Sequence, residues 1–339
     1  MRSNNVVFSH QRDTVIALSK YFQSITVFTL ESSDEPLPAN VKISQITWKS
    51  GSHLENIFRI LTTLLPHLLS NRKQIVFSHM TDAHAAAISP ITWFLRIKHV
   101  LWYAHAKNSI FLIFSSIFVS KILSSTKGSC TLKINRRKIF YLNQGIDESQ
   151  FPFLENHARI NNMFYYGRLD ASKQIHSLIE LVTKLHSHNM PFTLHLFGRP
   201  MNDKSKHYME ELIKNNASVI EKEFVIFQPP LMRKEIAHVA AQYGLFLNLF
   251  SGSLDKTLIE CTFLGLPVVT WNIEYCSQFG TWTNRTPTPD LDFILSEIYS
   301  ILNLNEYELK NQLSIRRDLA LRLHSFDGWI TRLASILSN

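Results

Sequence analysis

The chain has 339 residues, of which 45% are hydrophobic and 18% charged, and its formal net charge is +8 at pH 7. This length and apolar content are sufficient for one large or two ordinary domains with real cores. The three cysteines, Cys130, Cys261 and Cys276, have no CxxC or Cys/His spacing, which excludes a disulfide scaffold and a zinc site and suits a reducing compartment.

Short runs of β type alternate with helical patterns along the chain. The first series predicts helices at 55–69 and 82–94 and strands at 5–9, 26–30, 74–78, 99–104 and 138–142. The second series predicts helices at 173–188, 203–215, 232–242 and 255–264 and strands at 162–167, 192–198, 224–227, 244–250 and 266–271. Residues 291–339 predict three helices and no strand.

This alternation indicates parallel sheets with helices on both faces. Two series predict an α/β fold of two doubly wound, Rossmann-like domains, with the change-over near NQGIDESQFPF at 143–153. We assign 1–148 to the N-terminal domain, 149–322 to the C-terminal domain, and 323–339 to a helix that packs back on the first. Ligands of such sheets bind beyond the carboxyl ends of the strands, so we expect a site in the cleft between the domains.

Two cations follow the strand that opens the second series. In FYYGRLDASKQIHSLIELV, at 164–182, Arg168 comes directly after the predicted strand and Lys173 stands at the start of a helix. A guanidinium fork and an ammonium beside a helix N-terminus suit a diphosphate. Taken alone, these two residues are more typical of solvated loop cations than of a diphosphate site.

The segment SGSLDKTLIECTFLGLPVV, at 251–269, stands in the equivalent place after a later strand. Its small residues allow backbone amides to approach a phosphate or a sugar closely. Glu260 lies in the following helix, where a carboxylate can accept hydrogen bonds from vicinal ribose hydroxyls. A solvent-facing glutamate beside an apolar stripe is the alternative interpretation.

These motifs resemble those of the retaining GT-B glycosyltransferases, specifically glycosyltransferase family 4. YYGRLDASK is similar to the family's GRL…K signature, and SGSLDKTLIECTFLGLPVV to the segment that ends in LEAMA-x-G-x-PVV. LFGRP, at 196–200, resembles the GDGP segment, and NQGIDESQF the crossover between domains. The resemblance covers 143–271 well; before that, LWYAHAKNS at 101–109 is the best match. It implies two domains that face each other across a cleft.

The resemblance also implies a role for each matched residue. Arg168 and Lys173 would hold the donor diphosphate, Glu260 the ribose, and His105 would lie near the donor sugar. Taken alone, His105 is more typical of a structural histidine at a strand end. The remaining nucleotide-contacting residues would be Gly198, Pro230 and Leu231, with the turn Ser253, Leu254, Asp255, Lys256 and Thr257.

The chain also departs from the family pattern. The family usually has two glutamates eight positions apart, and the first falls at Gly252; some members have a GSLDK-like turn instead. SHQRD, at 9–13, replaces the glycine-rich loop after the first strand, and Arg199 stands where an acid is common. We therefore expect recognition of the sugar hydroxyls through that acid to be lost, and the acceptor and phosphate site to be shaped without the usual glycine-rich loop.

We therefore expect transfer of a sugar from a nucleotide diphosphate, with retention, to a glycan or lipid-linked acceptor in cell-surface polysaccharide biosynthesis. No DxD pair stands in a loop where a metal-bound diphosphate would need it, so we expect no metal ion. We also expect no cofactor besides the nucleotide-sugar donor, whose nucleotide can be UDP or GDP. The alternative is an inactive GT-B subunit that binds the nucleotide sugar or serves a partner chain. An epimerase on the same fold would need additional acid/base carboxylates near the cleft, and a phosphorylase would need a lysine-bound cofactor. The sequence gives a clear case for neither.

The excess positive charge lies in the N-terminal half. Residues 1–150 hold 17 Lys/Arg against 8 Asp/Glu, whereas 151–339 hold 18 against 19. Without a nucleic-acid motif, this charge favours an anionic membrane surface or simply a solvated face. The N-terminus has no signal core and the uncharged run at 109–120 is too short to span a bilayer. We therefore expect a cytoplasmic protein, peripheral on the inner membrane face if it binds lipid.

Overall fold

The structure is a computed structural model that describes residues 9–30, 36–47, 52–70, 73–105, 107–154 and 161–339. The chain divides into two compact units. The first consists of Met1–Asn143 with Asp327–Asn339, and the second of Gln144–Phe326. The division falls five residues before the boundary expected at 148, and the C-terminal segment joins the first unit from Asp327 onward.

The described part of the first unit contains two parallel sheets. One pairs β1 (Ile25–Thr29) with β2 (Val41–Gln45). The other has the order β3-β4-β5-β6, formed by Ile75–His79, Lys98–Trp102, Lys121–Ser124 and Ile139–Tyr141. Its helices are α1 (Ser9–Leu18), α2 (His53–Ser70), α3 (Asp82–Phe94) and α4 (Ile110–Phe118).

Several elements of the first unit differ from the prediction. Strands β2 and β5 and helices α1 and α4 were not expected. Of the strand predicted at 5–9, residues 5–8 lie outside the described residues, and Ser9 begins α1. The helix α4 occupies the uncharged run that was considered only as a membrane span. Among the described helices, none is long and apolar enough to cross a bilayer.

The second unit contains one five-stranded parallel sheet of order β11-β10-β7-β8-β9. In chain order its strands β7 to β11 are Asn162–Arg168, Thr193–Arg199, Val225–Gln228, Leu245–Leu247 and Val268–Val269. Its helices α5 to α12 are Ile175–Ser187, Asp203–Asn215, Ala217–Glu221, Ile236–Ala240, Lys256–Phe263, Ile273–Phe279, Leu291–Leu302 and Glu306–His324.

Strand β7 shows why this sheet is covered on both faces. Its side chains alternate between two apolar clusters, with Met163 and Tyr165 in one and Phe164 and Tyr166 in the other. Helices α5 and α11 contribute to the first cluster, and α8, α9 and α10 to the second. All four side chains are buried, which is the burial pattern of a central strand in a doubly wound sheet.

The order of the strands defines where this sheet can bind a ligand. From β7 the chain proceeds outward through β8 and β9, then returns to place β10 on the other side of β7. The connections therefore diverge between β7 and β10. In open α/β sheets such a switch point leaves a crevice beyond the carboxyl ends of the two strands. Arg168 ends β7, and the segment 248–255 follows β10.

The last helix, α13 (Phe326–Ser338), packs through Trp329 against β4. The rings of Trp329 and Trp102 lie 5.2 Å apart in an edge-on arrangement. The ammonium of Lys98 donates hydrogen bonds to the carbonyl oxygens of Ile336 and Leu337, at 2.6 and 2.7 Å. A cation on the last carbonyls of a helix satisfies groups that have no partner within the helix.

Candidate functional site

The candidate site is formed by the carboxyl end of β7, the loop from β10 to α9, and the first turns of α9. Two buried asparagines fix the loop. The side-chain amide of Asn272 donates to the carbonyl oxygens of Phe250 and Gly252, both at 3.0 Å. Asn248 donates to Asp255 at 3.2 Å and to the Thr257 hydroxyl at 2.9 Å. The loop is therefore held by side chains rather than by glycine alone.

Lys173 forms a buried ion pair at this site. Its ammonium lies 2.5 Å from the Asp255 carboxylate and 3.8 Å from the centroid of the Phe250 ring, and the residue is only 8% exposed. Burial alone would raise the pKa of Asp255, but the charge of Lys173 and hydrogen bonds from Lys173, Asn248 and Thr257 outweigh it and lower that pKa. Asp255 also caps α9 by accepting from the Thr257 amide.

Glu260 is buried on α9 and faces β7. Its carboxylate accepts a hydrogen bond of 2.7 Å from the Tyr166 hydroxyl, and its second oxygen lies 3.9 Å from the guanidinium of Arg233. Burial raises the pKa of Glu260 despite the opposing effects of Arg233, Tyr166 and Lys256. A solvent-facing glutamate, the alternative interpretation from sequence, does not fit a residue that is 7% exposed.

Arg168 stands in a different environment from Lys173. Its side chain is 56% exposed, and its nearest carboxylate contact is Asp170 at 3.8 Å. It lies in register with Arg199 at the end of β8, which is also exposed, so two guanidinium groups follow adjacent parallel strands. Two guanidinium groups at neighbouring positions repel each other, and an anion bound between them relieves this repulsion. This strand edge is therefore suited to a phosphate group.

Gly167 and Gly198 allow these two strands to end close together. A Cβ added to Gly198 would lie 2.0 Å from the carbonyl oxygen of Gly167. Gly167 itself has a φ of +150°, which side chains other than glycine rarely adopt. The geometry gives Gly198 a structural reason to be glycine, in addition to the nucleotide contact that the sequence predicts.

Gly252, which stands where the resemblance to family 4 leads one to expect a glutamate, lies against the ring of Phe250. A Cβ at this position would lie 2.1 Å from the tip of that ring. Since Phe250 also covers the Lys173 ammonium, any side chain at 252 would have to displace the ring from the ion pair. Glycine at position 252 therefore leaves room for the Phe250 ring to cover the Lys173–Asp255 ion pair.

The other residues of the predicted turn have different degrees of exposure. Leu254 is buried; its amide donates to Glu274 at 2.7 Å and its carbonyl accepts from Gln144 at 3.0 Å. Ser253, Lys256 and Thr257 are half-buried. Burial lowers the pKa of Lys256, with Glu260 opposing and Arg233 adding to that effect. Lys256 therefore adds a cation beside the buried carboxylate.

Pro230 and Leu231 follow β9. Pro230 is exposed, and Leu231 packs against the apolar cluster that contains Phe164 and Tyr166. Sequence reasoning missed Arg233, two residues further on. Its guanidinium stacks over the Phe151 ring at 5.5 Å and its Nε is buried without a hydrogen-bond partner. The signal in the sequence was a basic pair in the loop after the strand, in PPLMRKE, five residues beyond the end of β9.

His105 belongs to the first unit. It lies in the loop after β4, is exposed, and accepts a hydrogen bond of 3.0 Å from the Lys107 amide. The second unit therefore brings together Lys173 with the predicted turn, and Glu260 with β7, whereas His105 is positioned by a different sheet. Within the described ranges, no group of three or more His, Cys, Asp or Glu side chains is arranged to hold a metal ion.

No family model and no curated protein matches this chain. Solved structures are similar to it over nearly its whole length. HepE of Anabaena, in complex with UDP, has a TM-score of 0.72 at 12% identity and covers 99% of this chain and 97% of its own. A glycosyltransferase of Rickettsia africae has a TM-score of 0.74 at 11% identity, with 99% and 95% covered.

Sucrose-phosphate synthase of Thermosynechococcus elongatus has a TM-score of 0.72 at 13% identity and covers 97% of this chain and 92% of its own. At such low identities the similarity establishes the fold. The chain has the α/β GT-B fold with parallel sheets, and the fold class predicted from the sequence is confirmed.

Proposed function

We propose that this protein transfers a sugar from a nucleotide-diphosphate donor to an acceptor. One observation carries the proposal: Glu260 is a buried carboxylate, held by Tyr166, beside the switch point where sheets of this type bind ligands. Burying a carboxylate is costly even when it is hydrogen-bonded, so a buried glutamate at a strand-end crevice favours a functional role. Similar structures were solved with UDP and with UDP-glucose, which supports a nucleotide sugar as the ligand.

The proposed donor site uses residues at or after the carboxyl ends of four strands, β7 to β10. Glu260 accepts hydrogen bonds from the ribose hydroxyls, and the base lies near Pro230 and Leu231. Arg168 and the turn 253–257 contact the diphosphate, with Gly198 allowing close approach of the backbone. Arg233, whose Nε has no partner, is oriented by Phe151 and Glu260 toward the same ligand.

As the bond from the anomeric carbon to the phosphate breaks, negative charge grows on the leaving diphosphate. Fixed cations that meet this charge stabilise the transition state more than the ground state. We propose Arg168, Lys173 and His105 as the catalytic groups. Lys173 acts from within its pair with Asp255, which fixes the start of α9 and limits how far its ammonium moves.

The finer features follow the family 4 resemblance and remain proposals. They are retention of the anomeric configuration, by same-face attack of the acceptor, and independence from metal ions. We further propose that the acceptor is a glycan or a lipid-linked glycan of cell-surface polysaccharide biosynthesis. The protein would bind it in the cytoplasm or at the inner face of the membrane.

A ligand panel tests the donor site. UDP, GDP and their common sugar conjugates are added to the full chain, and the unfolding temperature is measured. A true donor at a hundred times its dissociation constant adds about 2.7 kcal/mol to the free energy of unfolding. Glu260→Gln should weaken this stabilisation, whereas Glu211→Gln, on the exposed face of α6, should leave it unchanged. If no nucleotide stabilises the protein, the proposal fails.

Turnover separates the enzyme from the alternative, an inactive binding subunit. Gly252 and the internal pairing of Lys173 favour that alternative, so binding alone does not decide the question. The stabilising donor is incubated with the protein without acceptor, and released sugar is followed by NMR. Slow hydrolysis that initially yields the donor's own anomer supports a retaining transferase. Binding without any hydrolysis or transfer identifies a binding module.

A further inference from the structure

Helix α4 exposes its apolar side chains and buries its small polar ones. Ile110 is 75% exposed and Ile117 54%, and the intervening Phe111, Ile113 and Phe114 are also exposed. The buried residues of the helix are Leu112, Ser115 and Ser116. An ordinary surface helix has the opposite arrangement, with its apolar stripe facing the core.

The serines explain how α4 is held in this orientation. Ser109 caps the helix by accepting from the Leu112 amide and donates to the Asp82 carboxylate at the start of α3. Ser115 donates to the Asp82 carbonyl at 3.5 Å, in addition to a bond within the helix to the Phe111 carbonyl, and Ser116 accepts from Asn135 at 3.0 Å. The bonds to Asp82 and Asn135 hold the polar side of α4 inward, so its apolar side faces solvent.

The apolar surface continues onto the end of α3. Trp93 is 61% and Phe94 79% exposed. The rings of Trp93 and Phe118 lie 6.0 Å apart, and those of Phe118 and Phe114 lie 5.2 Å apart. We call the set Trp93, Phe94, Ile110, Phe111, Ile113, Phe114 and Ile117 the α4 surface. Monomeric soluble proteins rarely expose so many large apolar side chains together unless they bind something.

Phe94 also lines a groove between α2 and α3. The groove has a volume of about 350 Å³, and its lining is almost entirely apolar: Leu65, Leu69, Pro90, Ile91, Phe94 and Leu95. The α4 surface and the groove therefore share a residue, and the apolar region extends over three helices.

Apart from Asp82, which accepts from Ser109, the charge of the chain around the α4 surface is positive. Residues 83–146 contain no Asp or Glu and nine Lys or Arg: Arg96, Lys98, Lys107, Lys121, Lys127, Lys133, Arg136, Arg137 and Lys138. Lys138 donates to the carbonyl oxygens of Ser116, Ile117 and Val119 at 2.8 to 2.9 Å and so caps the end of α4. The exposed side chains of Arg136 and Arg137 are therefore attached directly beside the apolar helix.

We propose that the α4 surface binds an anionic phospholipid bilayer, with its aromatic and aliphatic side chains in the interface and the 133–138 cations on lipid headgroups. An apolar face bordered by Lys and Arg is the pattern of interfacial helices. A second copy of this chain would bring the same cations against each other. Nucleic acid would leave the apolar side chains exposed.

Flotation with vesicles tests the proposal without any nucleotide sugar, so its outcome is separate from that of the transferase proposal. The full chain should float with vesicles of phosphatidylglycerol and phosphatidylcholine and much less with phosphatidylcholine alone. The double variant Arg136→Gln/Arg137→Gln should bind the anionic vesicles about 30-fold more weakly, at about 1 kcal/mol for each charge. Raising the salt concentration should weaken the wild type more than this variant.

Phe111→Ser/Phe114→Ser should reduce binding at least tenfold. The matched control is Ile273→Ser/Ile315→Ser, which removes two even more exposed apolar side chains from the second unit and should bind like the wild type. Circular dichroism and the unfolding temperature verify that each variant is folded. Trp93 should report insertion by a blue-shifted fluorescence that Trp93→Phe loses.

Three results would overturn the proposal. Equal binding of neutral and anionic vesicles removes the role of the cations. Unchanged binding by the folded Phe111→Ser/Phe114→Ser variant removes the role of α4. A wild-type dimer in sedimentation that the same variant converts to monomer, without vesicle binding by either, assigns the surface to self-association.

Discussion

Arg168 and Lys173 come from the same motif, yet they have opposite surroundings. Lys173 is buried in a pair with Asp255, and its ammonium has little access to solvent. Arg168 is more than half exposed, with only a distant carboxylate neighbour. The cation that can meet a phosphate without breaking an existing contact is therefore Arg168.

Arg168→Ala should lower kcat/KM for sugar transfer by about two orders of magnitude. A charged group that meets the leaving diphosphate contributes on the order of 3 kcal/mol to the transition state. Steady-state kinetics with the donor identified by the ligand panel measure the effect. Arg285→Ala removes an exposed arginine elsewhere in the second unit and is the control. Equal rates for both variants would mean that the diphosphate is held by other residues.

Glu260 should make both stability and donor binding depend on pH. Burial raises its pKa above the ordinary value of 4.5. Between that value and the raised pKa, the unfolded chain ionises this group before the folded chain does, so its contribution to stability falls as the pH rises. Glu260→Gln keeps an acceptor for Tyr166 and removes the ionisation. The variant should therefore gain unfolding free energy relative to the wild type as the pH rises above 4.5.

Donor binding should have the opposite dependence. The ionised carboxylate is the better acceptor for ribose hydroxyls, so affinity should fall as the pH is lowered through the raised pKa of Glu260. A nucleotide sugar is the right probe, since its diphosphate has no terminal phosphate group to titrate. Calorimetry from pH 7 downward measures the trend. A Glu260→Gln variant with the same pH profile as the wild type would assign the dependence to another group.

At the scale of elements, the start of α9 depends on Asp255. This carboxylate caps the helix, pairs with Lys173 and accepts from Asn248. Asp255→Asn keeps the cap but leaves the Lys173 ammonium buried without its counter-charge, which should cost about 3 kcal/mol of unfolding free energy. Denaturant titration at pH 7 measures the loss. The difference should shrink in acid as the pH falls through the lowered pKa of Asp255, because the wild type then loses the same charge.

The control is an ion pair of the same length on the surface. Lys184 and Asp292 also lie 2.5 Å apart, but the Asp292 side chain is 83% exposed. Asp292→Asn should change the unfolding free energy by no more than about 0.5 kcal/mol. If Asp255→Asn costs as little as Asp292→Asn, the buried pair does not organise the site.

The sequence predicted the elements of the second unit better than those of the first. Apolar runs separated by long amphipathic helices identify β7, β8 and β9 because both faces of a parallel sheet are buried. The prediction was weaker where an element is short or its pattern ambiguous. KILS in β5 is only four residues long, and the run at 109–120 has no periodicity that separates a buried strand from a helix such as α4.

The candidate site was predictable in its positions but not in its contacts. The structure has Arg168 as the last residue of β7, Lys173 two residues before α5 and Glu260 within α9. The motif spacing predicted these positions as directly after a strand, at a helix start and within a helix. It did not indicate that Lys173 pairs with a residue 82 positions away, or that Tyr166 holds Glu260. Such pairs depend on the strand order, in particular on β10 lying beside β7, and no local pattern encodes that order.

At the scale of the whole molecule, the positive charge is concentrated in two places. One is beside the α4 surface proposed to bind a membrane, and the other is at the strand ends proposed to bind the diphosphate. The first unit contributes the acid-free stretch 83–143, and the second contributes Arg168, Arg199 and Arg233 around one switch point. The protein therefore has cations of its own at the place where the proposed leaving diphosphate develops charge. A bound divalent ion would perform the same electrostatic task.

From this we expect sugar transfer to be independent of divalent metal ions. The full chain is assayed with its donor and acceptor before and after treatment with EDTA, and the rate should stay the same. Arg168→Ala provides the informative comparison, since Mg²⁺ added to this variant should restore little of the lost rate if the guanidinium acts through directed hydrogen bonds rather than charge alone. Loss of wild-type turnover with EDTA that Mg²⁺ or Mn²⁺ restores would show that the leaving diphosphate is stabilised by a metal ion.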